Sequence, residues 1–151
     1  MEKRKSLIKA ILDTYRISLA YIGESISKYG IGRGQWYFFN RLLLSGDGIS
    51  QEQLSEEMVV DSAHTARAIK KLEEDGYVFR KADPGDGRRK KVYVTEKAVA
   101  IREEYHQIYK ELNKILTAGF TPEEVELIRH LLYRMRDNID IYVKTRIKDS
   151  Q

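Results

Sequence analysis

The chain of 151 residues contains no cysteine. Disulfides, thiolate nucleophiles, cysteine zinc sites and thiol redox switches are thereby excluded, and an intracellular setting is expected. Histidine is scarce as well. His64, His106 and His130 stand far apart, with no His-x-x-x-His pair, so no metal centre is expected. No apolar run approaches the roughly 18 residues of a membrane span. The segment MEKRKSLIKAILD is charged rather than signal-like, so a cytoplasmic protein with no membrane partner is expected. Phosphate loops, nucleophile elbows, paired metal-ligand motifs, internal repeats and low-complexity tracts are missing too. These absences point away from an enzyme and from any cofactor.

What is present is a core-sized share of apolar residues, 42%, and 33% charged residues. The length suits one compact domain, or one core carrying a small lobe. Net charge is only +4, from 27 basic and 23 acidic side chains. Its distribution is more informative than its size. Residues 1–60 carry +1 and residues 98–151 are neutral, whereas residues 61–97 carry +3. Within the last stretch, Arg80 to Lys91 holds six cations against Asp83 and Asp86, a local excess of +4. Such a run is either a solvated loop or the footprint of a polyanionic partner.

Apolar spacing predicts a long helix over Ser6 to Lys28, ended by the glycine-rich Tyr29-Gly30-Ile31-Gly32-Arg33-Gly34 loop. Gln35 to Leu44 reads as a short apolar helix. Ser50, with Gln53 three residues on, has the capping-box pattern and opens the next, whose inward positions are Leu54 and Met58. Val59-Val60 form a break, and Asp61 caps a further helix with Ala68, Ile69 and Leu72 inward. Gly76 ends it in the left-handed position.

The period then shortens. Tyr77 to Lys81 and Lys91 to Val94 read as strands, joined by a turn-rich loop over residues 82–89. Beyond Thr95 a helical face returns with Ile101, Tyr105, Ile108, Leu112, Ile115 and Leu116. Gly119 breaks it, and Thr121-Pro122-Glu123-Glu124 starts a last helix carrying Val125, Ile128, Leu131, Leu132, Met135, Ile139 and Val143. The fold expected is mainly α with a small β-hairpin wing: a winged helix-turn-helix lobe over residues 35–97, and a helical dimerisation region over 1–34 and 98–151. The end helices are too apolar to be exposed arms, so a homodimer is expected.

Two segments carry a family resemblance. Ile49-Ser-Gln-Glu-Gln-Leu-Ser-Glu-Glu-Met58, Val-Val, and Asp61-Ser-Ala-His-Thr-Ala-Arg67-Ala-Ile-Lys-Lys-Leu72-Glu-Glu-Asp-Gly76 resemble the helix-turn-helix of the MarR family of transcriptional regulators. Asp83-Pro84-Gly85-Asp86-Gly87-Arg88-Arg89, followed by Val92-Tyr-Val-Thr95-Glu-Lys97, resembles that family's D-P-x-D-x-R…L-T-x-K wing signature. Three positions depart from the pattern. Val59 stands where glycine is usual, Ala63-His64 where a Ser-Thr pair is usual, and Thr65 where a buried apolar residue is common. Valine disfavours the left-handed region, so the turn is expected to avoid it.

The resemblance implies a sequence-specific DNA-binding regulator, a repressor acting as a homodimer on a pseudo-palindromic operator. A winged helix used for protein contact or for non-specific DNA binding is the alternative. On the helix opened by Asp61, the outward face presents Ser62, His64, Arg67 and Lys71 to double-stranded DNA. Arg67 either bridges guanine in the major groove or pairs with Glu74 or Asp75 on its own helix. His64 either contacts DNA or is an exposed polar residue. In the wing, the resemblance places Arg88 in the minor groove, with Asp86 holding its guanidinium. Arg89, Lys90 and Lys91 would meet phosphates. Members of the family also bind small phenolic or anionic effectors in a crevice beside the winged lobe. Arg16, Trp36 and Tyr37 either line such a crevice or are surface charge and plain core.

Overall fold

Four helix starts are fixed by side-chain caps, and sequence spacing anticipates three of them, at Ser50, Asp61 and Thr121. Ser50 accepts from the Gln53 N–H at 3.1 Å while the Gln53 side chain accepts from the Ser50 N–H at 2.9 Å, a complete capping box. Asp61 takes the His64 N–H at 2.8 Å, and Thr95 takes that of Ala98 at 3.3 Å. Thr121 and Glu124 form a second reciprocal box. Each cap satisfies donors that a helix leaves orphaned in its first turn.

The computed structural model describes residues 6–83 and 85–148, and the side chains of Gly87, Arg88, Ile147 and Lys148 lie outside that description. Helices α1 (Leu7–Ile26) and α2 (Arg33–Ser45) are followed by β1 (Ile49–Ser50), α3 (Gln51–Met58) and α4 (Ser62–Glu74). Then come β2 (Val78–Asp83), β3 (Asp86–Val94), α5 (Glu96–Ala100), α6 (Arg102–Leu116) and α7 (Pro122–Lys148). The expected class, mainly α with a small β wing, is the class observed. Two compact units divide after Leu112.

In the first unit the core is built where helix spacing places it. Phe38, Phe39, Leu42 and Leu43 of α2 meet Leu54 of α3, with Ala68, Ile69 and Leu72 of α4. Val78 and Val92 close it from the sheet, and Ala98, Tyr105 and Leu112 from the helices that follow. Tyr105 sits edge-on to Phe39 at 5.4 Å between ring centres, a favoured geometry for a buried aromatic pair. The second unit consists of the end of α6, a turn at Gly119 and α7.

Several boundaries differ from the sequence reading. A 3-10 turn, Ser27–Tyr29, ends the first helix, and α2 begins at Arg33 so that Gly34 lies inside it. The strands reach Asp83 and restart at Asp86, leaving a much tighter turn than the expected loop over residues 82–89. Their antiparallel register pairs Val78 with Val94 and Ala82 with Lys90. A third strand, β1, pairs Ile49 with Val92 and makes the sheet order β1-β3-β2. The helical period after Thr95 is interrupted at Ile101, where α5 ends before α6 begins.

Val59 corrects an expectation directly. It occupies the left-handed region, with φ 53° and ψ 47°. The reason lies in the end of α3: the Val60 N–H donates to the Ser55 carbonyl at 3.1 Å and the Val59 N–H to that of Glu56 at 3.2 Å. This closing pattern requires a left-handed residue, and here a β-branched one carries the strain. Val59→Gly is therefore expected to stabilise the chain by up to about 1 kcal/mol, the steric relief being partly offset by glycine's entropy. Urea denaturation of the two proteins checks this, and an unchanged or lowered midpoint would contradict it.

Candidate nucleic-acid interface

Helix α4 buries Thr65, Ala68, Ile69 and Leu72 and turns Ser62, Ala63, Arg67, Lys70 and Lys71 outward. Thr65 is fully buried, at the position where an apolar residue was the expected pattern. Ser55 of α3 supplies its partner, donating to Thr65 Oγ1 at 2.8 Å, while the Thr65 hydroxyl reaches the Asp61 carbonyl at 3.3 Å. The two helices are thus joined by a hydroxyl pair as well as by apolar contact. Each hydroxyl also has a backbone acceptor on its own side, Ser55 Oγ the Gln51 carbonyl at 2.9 Å and Thr65 Oγ1 that of Asp61. Either single loss therefore removes the same contact between the helices, and the second loss has none of it left to remove. Ser55→Ala and Thr65→Val are accordingly expected to destabilise singly, with the double variant costing less than their sum by about 0.5–1.5 kcal/mol. A double-mutant cycle in urea measures this coupling, and strict additivity would remove the pair.

The outward residues divide by what already holds them. Lys71 reaches Asp75 at 2.8 Å and Lys70 reaches Glu74 at 3.8 Å. Both carboxylates that might have claimed Arg67 are therefore taken. Among the described residues Arg67 has no hydrogen bond or ion pair, and its side chain is exposed. Its charge is felt at Asp61, whose carboxyl is held below the usual range first by the His64 N–H and then by Arg67. Lys71 is shifted the other way: hydrogen bonding to Asp75 raises its ammonium above its ordinary value. Ser62 is exposed at the open first turn of the helix.

His64 is not the fully exposed residue of the simpler expectation. It is half-buried, with its ring edge-on to Phe38 at 5.7 Å and an interplanar angle of 64°. The core of α2 thus fixes one face of the imidazole while the other side remains at the surface of α4.

The wing shows the same division. Asp83 and Lys91 pair at 3.3 Å, and Asp83 is held below the usual carboxyl range by the Gly85 N–H first and by Lys91 second. Asp86 lies 3.6 Å from the Arg89 guanidinium, and its expected contact with Arg88 lies outside the described residues. The Arg88 side chain falls outside the described residues. Lys90 is exposed and has no partner among the described residues. Two residues along the strands from the Lys81–Lys91 position, Phe79 and Tyr93 stack at 5.5 Å, a cross-strand pair that stiffens the hairpin.

A cavity of about 450 Å³ opens between α1 and α2, lined by Leu19, Ile26, Ile31, Arg33, Trp36 and Tyr37 among others. Trp36 and Tyr37 both line it, and Trp36 is at the same time part of the core. Arg16 is not in the lining; it is on the solvent side of α1, 3.7 Å from Asp13. Arg33 supplies the cation instead, a residue hidden from sequence reasoning because it looked like part of a loop. Among the described residues no group of His, Asp and Glu has the makings of a metal site. Likewise, no described helix is long and apolar enough to cross a membrane.

Comparison with known proteins fits this geometry. A family model described as "MarR family" matches residues 29–89, which span the helix-turn-helix and most of the wing. The HTH-type transcriptional regulator YybA of Bacillus subtilis (strain 168) is 37% identical over 108 residues, covering 72% of this chain and 71% of the relative. The crystal structure of a MarR transcriptional regulator from Methanosarcina mazei Go1 superposes with a TM-score of 0.80 at 42% identity, over 86% of this chain and 93% of that one. A MarR family regulator from Listeria monocytogenes, solved in complex with a 26mer DNA, shares the fold with a TM-score of 0.83 at 24% identity, over 93% and 95% of the two chains. With its capped two-helix unit, its basic hairpin and these relatives, the chain belongs to the MarR family of winged helix-turn-helix transcriptional regulators.

Proposed function

We propose that the protein is a sequence-specific DNA-binding repressor that acts as a homodimer on a pseudo-palindromic operator and is released by a small phenolic or anionic effector. The observation that carries the DNA-reading part is Arg67. Without a partner among the described residues, it stands on the outward face of a helix held from behind by its cap, its core residues and Ser55. A guanidinium in that state has both edges free for guanine O6 and N7. His64 and Ser62 flank it on the same helix, and Lys90, a wing cation without a partner among the described residues, meets phosphate. The Listeria regulator seen with DNA supports docking of the same fold on a duplex.

Dimerisation is supported by apolar side chains that a soluble monomer rarely leaves in water. On α1, Leu7, Ile8, Leu12, Tyr15 and Ile17 are all more than half exposed. On α7 the same holds for Leu127, Tyr133, Ile139, Ile141 and Tyr142. A second copy of the chain covers these faces, and two reading helices then address half-sites about one helical turn apart, ~10 bp. Light scattering at micromolar concentration tests the dimer, and a monomer mass refutes it. Selection of genomic fragments on the immobilised protein tests the rest. Enrichment of one or a few pseudo-palindromic promoter sites is the expected result. Uniform recovery of bulk DNA would leave the non-specific module, and no recovery the protein-contact module.

For the effector, Arg33 is the cation beside the aromatic wall of Trp36 and Tyr37. Titration with salicylate as an anionic phenol is expected to weaken operator binding by the wild type. Arg33→Ala should blunt that response at least severalfold, while Arg16→Ala leaves it unchanged. The reverse order would return the role to Arg16.

A further inference from the structure

The Thr95-Glu96-Lys97 segment follows the wing in sequence, yet its polar groups turn back toward the reading helix. The C-terminal end of α4 leaves carbonyls without helical partners. Gly76, at φ 76°, closes the helix: the Tyr77 N–H donates to the Leu72 carbonyl at 2.9 Å and the Gly76 N–H to that of Glu73 at 3.0 Å. The carbonyls of Asp75, Gly76 and Tyr77 are each taken from outside the helix. Lys97 Nζ donates to the Asp75 carbonyl at 2.6 Å. Thr95 Oγ1 donates to that of Gly76 at 2.7 Å, and the Thr95 N–H to that of Tyr77 at 3.0 Å.

Lys97 is held by more than that one bond. Its ammonium lies 4.2 Å above the centre of the Tyr77 ring, a cation–π distance, and its charge meets the negative end of the α4 dipole. Tyr77 in turn is buried, edge-on to Phe39 at 5.2 Å, and its hydroxyl donates to the Tyr29 carbonyl at 2.7 Å. Tyr29 and Lys28 both bind the Glu104 carboxylate on α6. The exit of α4 is therefore tied through Tyr77 to the turn after α1 and through Thr95 and Lys97 to the segment after the wing.

We propose that Lys97 and Thr95 are positioning residues for DNA recognition: they fix the direction in which α4 leaves the lobe, and thereby where Ser62, His64 and Arg67 meet the bases. This rests on the reading of α4 as the recognition helix. The lever arm gives the effect its size. Thirteen helical residues span about 20 Å, so a tilt of about 5° at the Asp75 end moves the Ser62 end by about 2 Å. A displacement of that order breaks a bidentate base contact but leaves long, flexible lysines able to find phosphates. Specificity, not overall affinity for DNA, is the quantity the clamp controls.

The test uses the full chain, an operator found by genomic selection, and a scrambled duplex of equal length, each measured over a range of salt. Lys97→Met keeps an unbranched stem on the Tyr77 ring while removing the donor and the charge. It is expected to lower operator affinity about tenfold, as befits a charge-assisted hydrogen bond, with scrambled-duplex affinity and both salt slopes unchanged. Lys97→Arg, which retains a cationic donor, should restore operator affinity to within about threefold of wild type. Tyr77→Phe, which removes the bond to Tyr29 but no ring, should shift the two affinities in the same unequal way. Equal losses on both duplexes with a shallower salt slope would make Lys97 a phosphate contact and overturn the proposal, as would unchanged operator binding by Lys97→Met. If the wild type itself fails to distinguish operator from scrambled duplex, the recognition-helix reading fails, and the clamp's role in specificity fails with it.

Discussion

Arg67→Ala is expected to lower operator affinity by about 1–3 kcal/mol, roughly fivefold to 150-fold, and to relax preference at a single base pair in each half-site. The size follows from the state of the side chain. Among the described residues its guanidinium has no partner to give up on binding, so little of the gain is spent on breaking an internal ion pair. Competition on the helix explains that freedom. Glu74 and Asp75 lie seven and eight residues from Arg67, while Lys70 and Lys71 sit four residues before them. On a helix the i,i+4 partners are neighbours and the more distant pairs are not, so the lysines win. Arg67→Lys should not rescue the loss, because a single ammonium cannot bridge O6 and N7 together. Fluorescence anisotropy against the operator and its single-base variants measures the effect. A uniform loss across all sequences, with the salt slope reduced by about one, would reassign Arg67 to phosphate.

The second large effect is expected in the wing. Arg88→Ala should weaken operator binding strongly, by about 1–3 kcal/mol, because an arginine in a narrow minor groove sits where the negative potential is concentrated. Lys90→Ala should cost less and lower the salt slope by about one, the signature of one phosphate neutralised. Arg89→Ala should fall below Lys90→Ala, since Arg89 must first leave Asp86 at 3.6 Å. Gel-shift titrations across salt distinguish the three. Unchanged affinity for Arg88→Ala at every salt concentration would remove the wing from the mechanism.

The features legible in the sequence are those set within a few residues of chain. The caps at Ser50, Asp61 and Thr121 and the left-handed Gly76 depend on donors or turns one to three positions away. The core face of α4 follows from its 3.6-residue period. What could not be read depends on distant partners. β1 is two residues long, too short for any alternation, and exists because Ile49 meets Val92. The wing strands extend past their β-branched residues because Ala82 pairs with Lys90, a contact that lies in no local pattern. At Val59 residue preference points one way and the closing bonds of α3 the other, and the bonds prevail. In the cavity, the change from Arg16 to Arg33 follows from the turn after α1, which redirects the chain before α2 begins. The helix-capping role of Lys97 was equally hidden, for its carbonyl partner lies 22 residues earlier.

Trp36 has a practical consequence. It is the chain's single tryptophan, it is 8% exposed, and its ring forms part of the wall of the cavity between α1 and α2. The protein thus carries one intrinsic fluorophore of its kind, already seated at the place where a small molecule would enter. Emission from that indole, excited at the red edge to spare the ten tyrosines, reports the polarity of the cavity wall without label or substitution. Under the proposed effector response, occupation of the cavity and release of DNA would be two separately observable events in one sample: the first in the intrinsic emission, the second in the anisotropy of a dye on the duplex.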